Sequence, residues 1–172
     1  DLTGPSALAE GDHRFVVRVP DVAGNLAERV DWVGVDLTDP GAEFTAPEEG
    51  ALTNTNRPMV VLEYGDPAGL GGFASGIEPE DVTLAEDGSD VSAETARDAG
   101  RAVYQPPADR VLAEGEHEYR GLVPDRAGRT VERTRRFTVD TIPPDVAIEM
   151  PAEGFIADDF VVDFVVWATD LH

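Results

Sequence analysis

The chain has 172 residues, of which 35 are Asp or Glu, 13 are basic and none is Cys, and its formal net charge is -22. Such a field repels nucleic-acid phosphates and anionic membrane surfaces, and the lack of Cys removes disulfides, thiolate metal sites and Cys nucleophiles. Hydrophobic residues make up 41% of the chain, enough for a packed core, yet no apolar run reaches the roughly 18 residues that span a bilayer.

All thirteen basic residues are Arg, so Lys-based Schiff bases and Lys-to-Asn isopeptide bonds are also excluded. An acidic, Lys-free surface resembles that of salt-adapted proteins, whose self-repulsion is screened as the Debye length falls from about 10 Å at 0.1 M salt to about 3 Å at 1 M. Replacement of Lys by Arg in a GC-rich genome is the alternative reading. No signal peptide opens the chain, and its first residues read as the middle of a domain, which leaves secretion open.

The first predicted element holds His13, Phe15, Val17 and Val19 at odd positions and Arg14 and Arg18 at even ones. That two-residue period marks a half-buried strand. It runs into VPDVAGN at 19–25, a phrase that returns as VPDRAGR at 123–129. In each, Asp21 or Asp125 caps a hairpin turn and Gly24 or Gly128 supplies its left-handed residue. VDLTDP at 35–40 then forms a stiff, proline-braced connection, as VDTIPP does at 139–144. Further strands are predicted over Ala42 to Ala46, Pro58 to Tyr64, Asp81 to Ala85, Asp90 to Ala93, Arg101 to Gln105, the row His117, Tyr119, Val123, and Thr130 to Val139, between Gly, Pro, Asp and Asn clusters. No helical stripe competes with them.

These elements repeat. Residues 8–50 align on 112–154 without a gap, with 18 identities in 43 positions and a period of 104 residues. The period divides the chain into the end of one unit (1–38), a complete unit (39–142) and the start of a third (143–172). About seven short strands in about 100 residues predict an all-β, immunoglobulin-like sandwich.

Catalytic signatures are missing. His13 and His117 share one repeat position and read as structural imidazoles, and His172 ends the chain without context. Pairs such as Glu78 with Asp81, or Asp158 with Asp159, read as solvated surface in so acidic a chain. No nucleophile elbow, phosphate loop or zinc-spaced His pair occurs, so the protein is expected not to be an enzyme.

The order L-x-E-G-x-H, D-x-A-G-N, V-D-x-x-x-P and P-x-x-G, followed by SGIEPEDVTL, resembles the tandem immunoglobulin-like repeats of long prokaryotic surface and secreted proteins. Arg129 in place of the turn Asn, and Gly121 within an inward strand row, depart from that pattern. The resemblance implies an extracellular or cell-surface setting in which sandwiches are strung end to end, with calcium stiffening the joints of some relatives. In this strand order the linker residues Asp36 and Asp39, the loop residue Asp66 and the turn residue Asp125 fall at one end of the unit, offering the hard oxygen ligands that calcium prefers. The plainer reading, that these residues only cap turns, stays open.

The expected function is therefore a structural repeat module, serving as stalk, spacer, adhesin or filament body, whose partners are neighbouring units or identical subunits. A subunit that polymerises by strand exchange, and a carbohydrate-binding accessory sandwich of a secreted hydrolase, are the alternatives. Against the latter, neither Trp32 nor Trp167 belongs to a row of aromatics.

Overall fold

The computed structural model describes residues 7–156, 158 and 162–170; Asp159 and His172 lie outside them. Strands β1 (Gly11–Pro20) and β2 (Leu26–Val35) form an antiparallel hairpin that pairs Gly11 with Val35 and Pro20 with Leu26. Nine strands follow: β3 (Gly41–Ala46), β4 (Ala51–Thr53), β5 (Val60–Gly65), β6 (Thr83–Glu86), β7 (Ser89–Asp90), β8 (Ala96–Asp98), β9 (Arg101–Tyr104), β10 (Gly115–Pro124) and β11 (Thr130–Val139). The last hairpin joins β12 (Asp145–Met150) to β13 (Val165–Thr169).

Strands β3 to β11 make a β-sandwich. One sheet runs β3-β5-β9-β8 and the other β4-β11-β10-β6-β7, the A-B-E-D and G-F-C order of an immunoglobulin constant-type domain with short strands added at both edges of the second sheet. The alternation read from the sequence survives in β10, where His117, Tyr119, Gly121 and Val123 point inward and are buried. Between the sheets lie Phe44, Leu62, Tyr64 and Tyr104 from one side and Leu84, Tyr119, Val123, Phe137 and Val139 from the other. Each such large side chain contributes about 1.5–3 kcal/mol by leaving water. The ring centroids of Tyr104 and Tyr119 stand 5.9 Å apart across the sheets, and Tyr119 stacks on Phe137 at 5.8 Å.

Gly121 does not break the inward row. A Cβ there would lie 2.5 Å from Leu62 Cδ2, so the missing side chain is the space into which Leu62 packs. The sequence reading needs correction elsewhere. Residues 90–93 are only partly strand, because β7 ends at Asp90 and a 3-10 turn occupies Ser92–Glu94. Strands β4 and β8 went unseen; β4 pairs in parallel with β11, Phe137 facing Ala51, while all other described pairings are antiparallel.

The two long hairpins share a register. Gly115 pairs with Val139 and Pro124 with Thr130, each position 104 residues beyond its counterpart in β1 and β2. Their surroundings differ sharply: Tyr119 and Val123 are fully buried, whereas Phe15, Val17 and Val19, which correspond to Tyr119, Gly121 and Val123, are 43%, 58% and 58% exposed. Among the described residues no second sheet covers that apolar face of the β1–β2 hairpin.

Candidate metal centre at the hairpin–sandwich junction

The loop after β5 and the linker Asp36 to Pro40 meet the β1–β2 hairpin at one end of the sandwich. Phe73 lies against Gly34 so closely that a Cβ on Gly34 would be 2.3 Å from Phe73 Cζ. Gly71 sits against the Glu10 backbone, where its own Cβ would come within 2.4 Å of the Glu10 carbonyl oxygen, and Gly69 faces the Glu10 carboxylate. The loop is tied internally by Gly69 N–H to the Phe73 carbonyl (3.2 Å), and Thr38 Oγ1 donates to Glu10 Oε1 at 2.7 Å across the linker. Three glycines thus let a loop of one segment touch the backbone of another.

Carboxylates gather beside this contact. Asp36 comes from the linker, Asp66 from the end of β5 and Asp125 from the turn between β10 and β11, and one oxygen of each lies within 4.8 Å of the others. Asp36 Oδ1 accepts from the Thr38 amide (3.0 Å) and Oδ2 from the Ser75 amide (2.6 Å). The Ser75 side chain first, then the Ser75 and Thr38 amides, hold the Asp36 carboxyl below its ordinary range, with the charge of Arg129 adding to them. Asp66 Oδ2 accepts from the Gly76 amide (2.6 Å) and Ser75 Oγ (3.3 Å). Asp125 Oδ1 accepts from the Arg129 amide at 2.8 Å, closing the turn. Asp66 Oδ1 and Asp125 Oδ2, both buried, have no hydrogen-bond partner.

The turn itself follows the sequence expectation. Gly24 and Gly128 adopt φ of +88° and +89°, and the Asp125 amide donates to the Arg129 carbonyl as the Asp21 amide does to Asn25. Arg129 therefore keeps the backbone geometry of Asn25, but its side chain leaves the turn and binds Asp39 Oδ1 at 2.7 Å. This removes Asp39 from the expected group of four: it is an exposed ion-pair partner of Arg129 and lies outside the cluster. No local pattern signals that pair, whose members are 90 residues apart. The SGIEPEDVTL stretch opens on Ser75 and Gly76, but its order alone does not mark them, or Phe73 before them, as part of this junction.

Both histidines make the same local bond, His13 Nε2 to the Ala9 carbonyl (2.7 Å) and His117 Nε2 to the Ala113 carbonyl (2.9 Å). His117 also binds Asp87 Oδ2 through Nδ1 at 2.7 Å. Burial resists its protonation, but the Ala113 carbonyl and the Asp87 carboxylate outweigh that and raise its pKa. The imidazole is thus a buried strut between loops. Nearby, Tyr119 donates to Glu86 Oε2 at 2.5 Å, and burial, then that bond, raises the pKa of the phenol.

No known protein family and no curated protein matches this sequence. Among solved structures, the endo-beta-1,4-mannanase from Thermotoga petrophila is similar at a TM-score of 0.48 and 17% identity over 62% of this chain, which spans 21% of that enzyme. Dimeric latent PorU from Porphyromonas gingivalis gives 0.43 and 22% over 80% of this chain and 15% of its own. The fibronectin(III)-like modules of Clostridium thermocellum CbhA give 0.39 and 17% over 77% and 64%. Likeness at these levels says nothing about activity. Among the described residues no helix is long and apolar enough to cross a membrane.

Proposed function

We propose that the protein is an extracellular structural repeat module in which acidic immunoglobulin-like sandwiches are joined end to end as a stalk, spacer, adhesin or filament body, and that it is not an enzyme. The observation that carries this reading is the seat of Phe73 on Gly34, with Gly71 on the Glu10 backbone. A short proline-braced linker, Asp36 to Pro40, bridges the two segments, and the loop packs across it, so the geometry between them is held by contact as well as by covalent connection. Rigid spacing between successive domains needs such a junction; the default for linked domains is relative motion.

The bare inward face of β1 and β2 supports the same reading. Phe15, Val17 and Val33 occupy positions that in the complete sandwich are Tyr119, Gly121 and Phe137, so the hairpin belongs with strands of the β3–β5 kind from a neighbouring unit or an identical subunit. Small-angle scattering of the chain, beside a Gly34→Val variant whose side chain must displace Phe73, tests the junction. A wild-type particle with one fixed hairpin orientation and a variant with a broadened one are expected; equal flexibility in both would reject the rigid joint.

A further inference from the structure

We propose that Arg133 and Arg135 act as straps that close the β3 edge of the sandwich, so that no strand of a second copy of the chain adds there. Strand β3 ends its sheet. Opposite Ala42 stands Tyr64 of β5, whose amide donates away from β3, to the Gly100 carbonyl at 2.9 Å. Ala42 with Tyr64, and Phe44 with Leu62 two residues on, are therefore the pairs that exchange no backbone bonds, and the Ala42 and Phe44 carbonyls point out of the sheet. An open edge of this kind is a template for strand addition and aggregation.

Both carbonyls are already taken. Arg133 Nε donates to the Ala42 carbonyl at 3.0 Å, and Arg135 Nη2 donates to the Phe44 carbonyl. Each bond spans 91 residues, so β11 runs beside β3 in parallel and reaches it with guanidinium groups in place of amides. Further along, β11 pairs by its backbone. The Gly50 amide donates to the Arg136 carbonyl at 2.8 Å, and Phe137 to Val139 face Ala51 to Thr53 of β4. The straps thus continue the seam between the two sheets past the end of the backbone ladder.

Arginine suits this task. Arg133 also donates through Nη1 to the Glu132 carbonyl at 2.9 Å, so one planar fork ties a carbonyl of β11 to a carbonyl of β3. Lys, with three donors on one flexible nitrogen, has no such fork. Arg135 lies 6.0 Å from the centroid of the Phe44 ring, with 14% of its side chain exposed. Its Nε is buried without a partner. That unpaired donor costs stability, which makes the bond to Phe44 an edge device more than a stabilising one. The opposite opening between the sheets has a strap as well: Arg97 of β8 donates from Nη1 to the Glu80 carbonyl at 3.0 Å and to the Val82 carbonyl at 2.7 Å, just ahead of β6. With its edges closed the sandwich meets other units at its ends, as in the proposed stalk, but the straps themselves do not rest on that reading.

Sedimentation velocity and amide hydrogen exchange of the full 172-residue chain, over a range of concentrations, test the straps. Arg133→Met with Arg135→Met removes the donors and keeps most of the side-chain bulk. This protein is expected to self-associate at least about tenfold more tightly than wild type, because two β3 edges can then pair. Its Ala42 and Phe44 amides should exchange at least about tenfold more slowly at high concentration, where a second copy's strand bonds to them. Arg120→Met with Arg136→Met removes the same two charges from ion pairs with Glu132 and Glu118, and should match wild type in both readouts. Protection of the Leu62 and Val123 amides reports an intact core; if the double variant loses it, Arg133→Met, whose bond is exposed, carries the same expectation alone. Equal association of the two Met pairs would assign the effect to net charge and overturn the straps. Unchanged association with unchanged Ala42 and Phe44 exchange would overturn them too. Arg133→Lys with Arg135→Lys should open the edge like the Met pair, and wild-type behaviour there would reject the guanidinium fork. Failure on any of these counts leaves the junction of Gly34 and Phe73 standing.

Discussion

Phe73 lies against Gly34, where a Cβ would meet its ring atoms at 2.3–2.9 Å, so a larger residue must displace the ring. Residue 34 is therefore the most sensitive point of the junction. Gly34→Val should leave the melting of the sandwich core unchanged, since Gly34 belongs to the hairpin, while exposing the linker. Limited proteolysis within residues 36–40 should be at least several-fold faster in the variant. Equal cleavage would mean that the loop does not hold the hairpin.

His117 gives the fold a pH dependence of defined sign. Its pKa is raised in the folded state above the 6.5 of an ordinary imidazole, so the folded chain binds the proton more tightly than the unfolded one. The added stability is complete below the unfolded value and is lost as pH rises through the folded one. Urea unfolding between about pH 5 and 9 should show stability falling above the ordinary imidazole range, and His117→Gln should flatten that step. A stability that rises there in the wild type would contradict the Asp87–His117 pair.

Turn glycine and turn acid should behave differently. Gly128 sits at φ +89°, where Ala costs roughly 1 kcal/mol or more. Asp125→Ala forfeits its bond from the Arg129 amide, typically about 0.5–1.5 kcal/mol, but it also removes a buried unpaired oxygen. The Asp variant should therefore lose less stability than Gly128→Ala. Equilibrium unfolding measures this, and a Gly128→Ala protein as stable as wild type would exclude the left-handed turn.

How far these sites could be read in advance depended on whether the signal was local. The alternation of β1, β10 and β11, the turn glycines and the gapless repeat are local patterns, and the sandwich follows from them. Strands β4 and β8 span three residues each, too few to alternate, and exist because a neighbouring strand pairs with them. Asp36, Asp66 and Asp125 could be grouped because strand order fixes which loops share an end. Asp39 could not be separated from them, since its fate depends on the reach of one Arg side chain across the fold.

The charge of the whole chain adds a salt dependence. With -22 formal charges and no Lys, repulsion destabilises the compact state, and screening relieves it. Melting temperature should climb as KCl increases from about 0.1 to 3 M, with the steepest part at the low end, where the Debye length is still long. A flat or falling series would reject salt adaptation and favour a genomic origin for the Arg bias.

Gly121 and Leu62 form a complementary pair whose exchange can be tested within the protein's own repertoire. Val17 stands 104 residues before Gly121 and Val166 104 residues after Leu62, so both positions change size at the sequence's own period. In the complete sandwich a Cβ on Gly121 would meet Leu62 Cδ2 at 2.5 Å and Phe44 Cζ at 3.4 Å. Leu62 is fully buried and cannot swing into solvent. Gly121→Val should therefore overpack the core and cost about 1–3 kcal/mol, despite the higher strand preference of Val. Leu62→Ala alone should cost about 2–5 kcal/mol by leaving a cavity. In the double variant the valine methyls occupy part of that cavity, so the combined loss should fall short of the sum by at least about 1 kcal/mol, as contacting residues do. Urea unfolding of the four proteins closes the cycle. Strict additivity would mean that Leu62 does not fill the space left by Gly121.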